Sequence, residues 1–183
     1  MKSALLVIDI QKDYFPGGKM ELKGSAEASL YAKQLLSRFR ERNMQVVHVQ
    51  HISNRPGASF FLPGTEGVCI HENVSPLDGE TVIQKHFPNS FRDTALLEYL
   101  AKEGVTHLVI SGMMTHMCVD ATTRAAFDYG FECTVVSNAC ATKDLTFEGK
   151  LLPAEHVHTA FLAALNAVYA RIIRAEDFVA STR

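Results

Sequence analysis

The chain has 183 residues, 47% hydrophobic and 21% charged, which supplies one sizeable core and excludes a disordered polypeptide. Eighteen Lys and Arg against twenty Asp and Glu leave a formal charge of −2, so there is no basic field for nucleic acid or an anionic membrane. No apolar run approaches the roughly 18 residues of a membrane span. The short run Ala4–Ile8 stops at Asp9, without the small-residue cleavage site of a signal peptide. Cys69, Cys118, Cys133 and Cys140 form no C-x-x-C pair, and a chain with this much core has no need of a disulfide framework. The expectation is a single domain over residues 1–183, cytoplasmic, with reduced thiols.

In chain order, Ala4–Ile8 reads as a buried parallel strand ending at Asp9. From Ser25 to Arg42, Ala28, Leu35, Leu36 and Phe39 recur at helical spacing, and Met44–Val49 is a second strand. The stretch from His51 to Gly79 carries Pro56, Gly57, Pro63, Gly64, Gly67, Pro76 and Gly79 and reads as a long loop of the lid, binding or interface kind. Thr81–Ile83 is a short strand leading to Lys85. Thr94–Lys102 is a helix stopped by Gly104, and His107–Ser111 a strand ending at Gly112. Cys118–Tyr129 reads as a helix closed by Gly130. Glu132–Ser137 is a strand, Pro153–Ala170 a long helix with Pro at its first position, and Arg171–Ile173 an edge strand.

Strand and helix alternate, which predicts an α/β three-layer domain with a mostly parallel central sheet flanked by helices. Ligands in such folds bind beyond the carboxyl ends of the strands. Asp9, Lys85 and the segment Gly112–Cys118 all fall at such ends, so an acid, an amine and a thiol share one rim. A thiol in the first turn of a helix, beside an ammonium, would have its pKa brought from roughly 8.5 to about 3.5–7.5. A thiolate is a strong nucleophile, a carboxylate can take the thiol proton, and amides at a helix start can hold an oxyanion. Taken singly, Cys118 also reads as a buried inert thiol, Asp9 as a turn or cap residue, and Lys85 as a solvated loop charge.

Three ordered segments carry a resemblance to a known family. Val7-Ile8-Asp9-Ile10-Gln11-Lys12-Asp13-Tyr14-Phe15 resembles a V-I-D-x-Q-x-D-F opening, and Lys85–Phe91 a K-x-x-x-S-x-F segment. Gly112–Thr122 resembles the G-x-x-T-x-x-C-V-x-x-T motif, and Val135–Ala141 a V-V-x-D-A-x-A segment in which Asn138 replaces the acid. These are the motifs of the isochorismatase-like cysteine hydrolases, which include the nicotinamidases.

The resemblance implies an Asp9–Lys85–Cys118 triad. Asp9 would be the general base, Lys85 the electrostatic partner, and Cys118 the nucleophile that forms an acyl-enzyme. It also implies a non-proline cis peptide between Met113 and Met114, with the amides of Met114 and Cys118 as the oxyanion hole. Gln11, Tyr14 and Phe15 would line the substrate pocket, with His51 and Met113 contributing to it. A homo-oligomer, dimer or tetramer, is expected on the same ground.

Nicotinamidases follow the second strand with a metal-binding Asp-x-His, where this chain has His51 and Ser53; His71 lies where a further metal-binding histidine occurs. Two imidazoles and a hydroxyl fall short of a zinc ligand set. The expectation is therefore no metal and no cofactor. The first reading is a cysteine hydrolase cleaving the C–N bond of a small amide or lactam. Vinyl-ether hydrolysis of the isochorismatase type, nicotinamide hydrolysis and a non-catalytic metabolite-binding role are the alternatives. A nucleotide-binding module is excluded, since no G-x-G-x-x-G or G-x-x-x-x-G-K-[ST] stretch occurs.

Overall fold

Continuous apolar strands such as Ser3–Ile8 require cover on both faces, and the architecture supplies it. The structure, a computed structural model, describes residues 1–181; residues 182–183 of the expected domain lie outside the described residues. In chain order the elements are β1 (Ser3–Ile8), α1 (Ser25–Glu41), β2 (Gln45–His51), β3 (Thr81–Lys85), α2 (Leu96–Lys102), β4 (His107–Met113), α3 (Asp120–Asp128) and β5 (Glu132–Ala141). There follow β6 (Leu145–Phe147), β7 (Lys150–Leu152), α4 (Ala154–Val168), β8 (Arg171–Ile173) and α5 (Ala175–Ser181). Six strands form one sheet in the order β3-β2-β1-β4-β5-β8, and every pairing in it is parallel.

Side-chain alternation sorts the core into two halves. Leu5 and Val7 face one side, with Leu35, Leu36 and Phe39 of α1 and Phe178 of α5. Ala4, Leu6 and Ile8 face the other, with Leu96 and Leu100 of α2, Ala126 of α3, and Leu162 and Leu165 of α4. Each fully buried Leu or Phe in these layers contributes about 1.5–3 kcal/mol relative to exposure. The three-layer α/β expectation is what the structure has.

The order reverses at β1. The chain moves outward through β2 and β3, then returns to the other side of β1 with β4, β5 and β8. This is a topological switch point, where a crevice opens at the carboxyl ends. Register then decides the neighbours: Ile8 pairs with Gly112, and His51 pairs with Lys85.

Some element boundaries differ from expectation. Lys85 is the last residue of β3, and Pro153 precedes α4 as its cap rather than opening it. Cys118 lies within a π-helical turn, Thr115–Val119, ahead of α3. The β6–β7 hairpin and α5 were not expected; the hairpin exposes Phe147, Leu151 and Leu152. Asn138 anchors α5, accepting from the Ala175 amide at 2.9 Å and donating to Glu176 at 3.0 Å. No helix among the described residues is long and apolar enough to cross a membrane.

Candidate active site

Asp9 leaves β1 with φ +52, which turns its side chain into the crevice while its amide still donates to Val49. Opposite it, Gly112 has φ +138, and a Cβ there would stand 2.0 Å from the Ile8 carbonyl oxygen. Only glycine lets β4 pass so close to β1 at this point. The Met113–Met114 peptide is cis, as the resemblance implied. The π-helical turn then carries Cys118 inward. Two ties hold that turn: Thr115 Oγ1 lies 2.9 Å from His158 Nδ1, and His116 Nδ1 lies 2.5 Å from Thr142 Oγ1.

These elements bring Asp9, Lys85 and Cys118 together. Lys85 Nζ lies 2.7 Å from Asp9 Oδ2 and donates to Cys118 Sγ at 3.2 Å. It also donates to the Phe87 carbonyl at 3.1 Å and meets His51 Nδ1 at 3.0 Å. Asp9 and Lys85 are 0% exposed and Cys118 only 5%. Neither Asp9 oxygen makes a hydrogen bond of good direction, so its approach to Lys85 is chiefly ionic.

Burial raises the Asp9 carboxyl above its usual value, against the pull of Lys85. Lys85 is raised, because Asp9 and Cys118 outweigh the desolvation that lowers it. Cys118 is raised as well: burial is the largest cause and Asp9 the next, with Lys85 opposing both. Burial thus pushes the thiol in the direction opposite to the lowering expected from a helix start. The burial that raises the thiol works against a resting thiolate, and Asp9 lies close enough to the Lys85–Cys118 contact to exchange a proton there.

Asp9, His51 and Cys118 are the one group among the described residues with three mutually close candidate metal-ligating atoms, all within 4.8 Å of one another. The Lys85 ammonium is already bonded to each of the three. His71 stands outside that group: its Nδ1 accepts from the Asn73 amide at 3.2 Å, and its ring stacks on Phe15. Ser53 offers only a neutral hydroxyl and is not part of that group; its amide donates to the Phe61 carbonyl. These residues do not form a set suited to a resident ion.

Several expected pocket residues have other work. Gln11 is fully buried and spends its whole amide on backbone: Nε2 donates to His51 at 2.9 Å and Val68 at 2.8 Å, and Oε1 accepts from His51 at 2.7 Å. Met113 is packed in the core, because it belongs to β4 and faces the α1 side. Phe15 lines a neighbouring cavity of about 560 Å³, with Phe60 and His71, that does not reach the triad. Tyr14 fits the expectation better. It packs edge-on against Phe61, with ring centroids 4.6 Å apart, and its hydroxyl is close enough for Cys118 and Asp9, after burial, to push it well above its usual pKa.

Residues not singled out from sequence complete the frame. Ser90 and Thr122, from two of the motif segments, bond at 2.8 Å and fix the Lys85 loop against α3. Asp13 accepts from the Phe61 amide at 2.6 Å and organises the long loop. Its place in the opening motif was the available signal. The inward bond of His51 had no signal, since it depends on strand register across the long loop.

Residues 3–177 match the family model for the isochorismatase domain. The chain is 56% identical over 179 residues to YddQ, an uncharacterized isochorismatase family protein of Bacillus subtilis, covering 98% of this chain and 99% of that one. It is 29% identical over 153 residues to a maleamate amidohydrolase of Pseudomonas putida, covering 76% of this chain and 71% of the relative. A solved isochorismatase-type hydrolase structure from Oleispira antarctica superposes with a TM-score of 0.94 at 47% identity, covering 98% and 96% of the two chains.

Proposed function

The chain belongs to the isochorismatase family of hydrolases, and on that premise we propose that it cleaves the C–N bond of a small amide or lactam through a thioester acyl-enzyme. The observation that carries this reading is the Lys85 ammonium in contact with both Asp9 and Cys118 in a water-poor crevice. The amidohydrolase among its relatives supports the same bond type.

Asp9 takes the Cys118 proton as Sγ attacks the carbonyl carbon. The negative charge moves from carboxylate to sulfur and then to the carbonyl oxygen, with Lys85 as the fixed counter-charge. The amides of Met114 and Cys118 receive that oxyanion. Asp9 returns the proton to the leaving nitrogen, and then activates the water that releases the acid. A general base in contact with the same ammonium can remove the thiol proton when substrate is present. Tyr14 and Phe61 supply an apolar wall.

A screen of small amides and lactams, with released ammonia or amine as the readout, tests the proposal when run beside Cys118→Ala. The variant should lose at least about 10³-fold in rate. A variant with undiminished turnover would remove covalent catalysis and favour vinyl-ether hydrolysis driven by Asp9.

A further inference from the structure

We propose that His51 is a positioning residue of this site: with the Phe87 carbonyl it holds two of the three Lys85 ammonium protons, leaving the third to follow the negative charge between Asp9 and Cys118. The role in turnover rests on the cysteine-hydrolase reading above.

An ammonium has three donors and no acceptor. Four acceptors surround Lys85 Nζ: Asp9 Oδ2 at 2.7 Å, His51 Nδ1 at 3.0 Å, the Phe87 oxygen at 3.1 Å and Cys118 Sγ at 3.2 Å. Two of these, the imidazole and the carbonyl, are neutral throughout. The other two share a single negative charge, on Asp9 before proton transfer and on Cys118 after it. Here His51, Phe87 and Cys118 take the three hydrogen bonds and Asp9 is met ionically, so the ammonium proton now on Sγ is the one free to move between Sγ and Asp9 as the charge moves.

Because Lys85 can only donate, His51 Nδ1 must be the acceptor, which puts the ring proton on Nε2. Burial keeps the ring neutral, helped by the nearby Lys85 ammonium and Arg55 guanidinium, and its pKa falls to about 3. The ring is also well placed. His51 sits beside Lys85 in the β2–β3 register, and Gln11 grips its peptide on both sides. The groups acting on the thiol come from separate elements: Asp9 from the end of β1, Lys85 from β3, and Tyr14 from the loop after β1.

Removing the His51 acceptor frees a Lys85 proton. That proton can serve Asp9 while another stays on Sγ, and a hydrogen bond kept on the charged form favours the thiolate. Cys118 should then titrate at lower pH, by about one unit for one added charge-assisted bond.

The test is the pH dependence of Cys118 alkylation by iodoacetamide, read by mass spectrometry of the Cys118 peptide. Wild type, His51→Leu and His51→Asn are compared, the asparagine oxygen standing where Nδ1 was. The midpoint should fall about one unit in His51→Leu and return to the wild-type value in His51→Asn. An unchanged midpoint in His51→Leu, or an equal shift in both variants, overturns the proposal. Should His51→Leu fail to fold, ¹⁵N-histidine spectra of the wild type decide. The Nε2–H tautomer should persist between about pH 5 and 8, and an Nδ1–H tautomer or an imidazolium there overturns it. Alkylation and tautomer need no turnover, so their outcome is separable from that of the amide screen.

Discussion

The side-chain amide of Gln11 clasps the peptide of His51 from both sides, accepting from its N–H at 2.7 Å and donating to its carbonyl at 2.9 Å. Its second N–H goes to Val68 at 2.8 Å, so one side chain at the end of β1 ties the end of β2 to the long loop that follows. A substrate would meet no free polar group on Gln11. The residue acts on the site by placing His51, and through it Lys85.

Gln11→Glu keeps the shape and removes both donors. A carboxylate would face the His51 carbonyl, which loses the Gln11 donor, and the Val68 carbonyl, which keeps only its bond from Gln50 at 3.0 Å; an unsatisfied buried group costs about 1–3 kcal/mol. The variant should unfold at a markedly lower temperature and be cut faster by protease within residues 52–79. A role in substrate contact predicts the opposite pattern, a raised KM with an unchanged melting temperature. Calorimetry and limited proteolysis on the purified variant distinguish the two.

Asp9 and Lys85 form a fully buried pair, so breaking it from one side exposes the partner's charge to an apolar surrounding. Lys85→Met should lose nearly all turnover and about 3–5 kcal/mol of stability. Adding Asp9→Asn removes the stranded carboxylate and should restore part of that stability without restoring activity. Urea denaturation of the two singles and the double closes the cycle. If the double is as unstable as the sum of the singles, the pair is not coupled and its electrostatic role is lost.

The rate should follow the ionisation of Asp9. Burial raises this carboxyl above its ordinary 3.8, and the base is active only when ionised. The rate therefore climbs with pH through a midpoint displaced upward from that value. Lys85 is raised above its ordinary 10.5, so no alkaline fall from loss of the ammonium should appear below that pH. A profile of kcat/KM against pH, taken where circular dichroism reports a constant fold, checks both limbs. A midpoint at or below 3.8, or a decline near neutrality, would contradict this assignment of the base.

The sequence made the layers, and the meeting of Asp9, Lys85 and Cys118 at one rim, legible because both follow from local pattern. Apolar runs such as Ala4–Ile8 mark buried strands; Asp9 and Lys85 stand where strands end, and Cys118 lies in the segment that follows β4. Less could be read where the cause is non-local. The π-helical turn at Thr115–Val119 is held by Thr115 on His158 and His116 on Thr142, partners that no helical period reveals. A helix start favours thiolate, whereas burial, which raises the thiol, is set by how the layers close over Cys118, and that closure is not legible in local sequence. Gln11 and His51 meet only once β1, β2 and the long loop are in register. The β6–β7 hairpin shows no alternation of buried and exposed residues, since its strands are largely exposed on both sides.

Far from the triad, Glu80 offers a pH-sensitive brace on the same loop. Arg40 grips both of its oxygens at 2.7 Å, the Leu77 amide donates to it at 2.9 Å, and buried His48 donates from Nε2 at 2.9 Å. Desolvation opposes its charge, but these donors prevail and bring its pKa down to about 2 from 4.5. A carboxylate with a depressed folded pKa stabilises the fold above its unfolded pKa, and that contribution is lost as pH falls through the folded value. The window is therefore from about 4.5 down to about 2. Glu80→Gln keeps the size and loses the charge-assisted bonds, so near neutral pH it should cost about 1.5–3 kcal/mol. The gap between the two proteins should narrow as pH falls through that window, because the wild type then loses what the variant never had. Urea denaturation at a series of pH values measures the gap. A difference that stays constant from neutral pH into the acid range would mean the Glu80 charge does not brace the loop, and shape alone accounts for the loss.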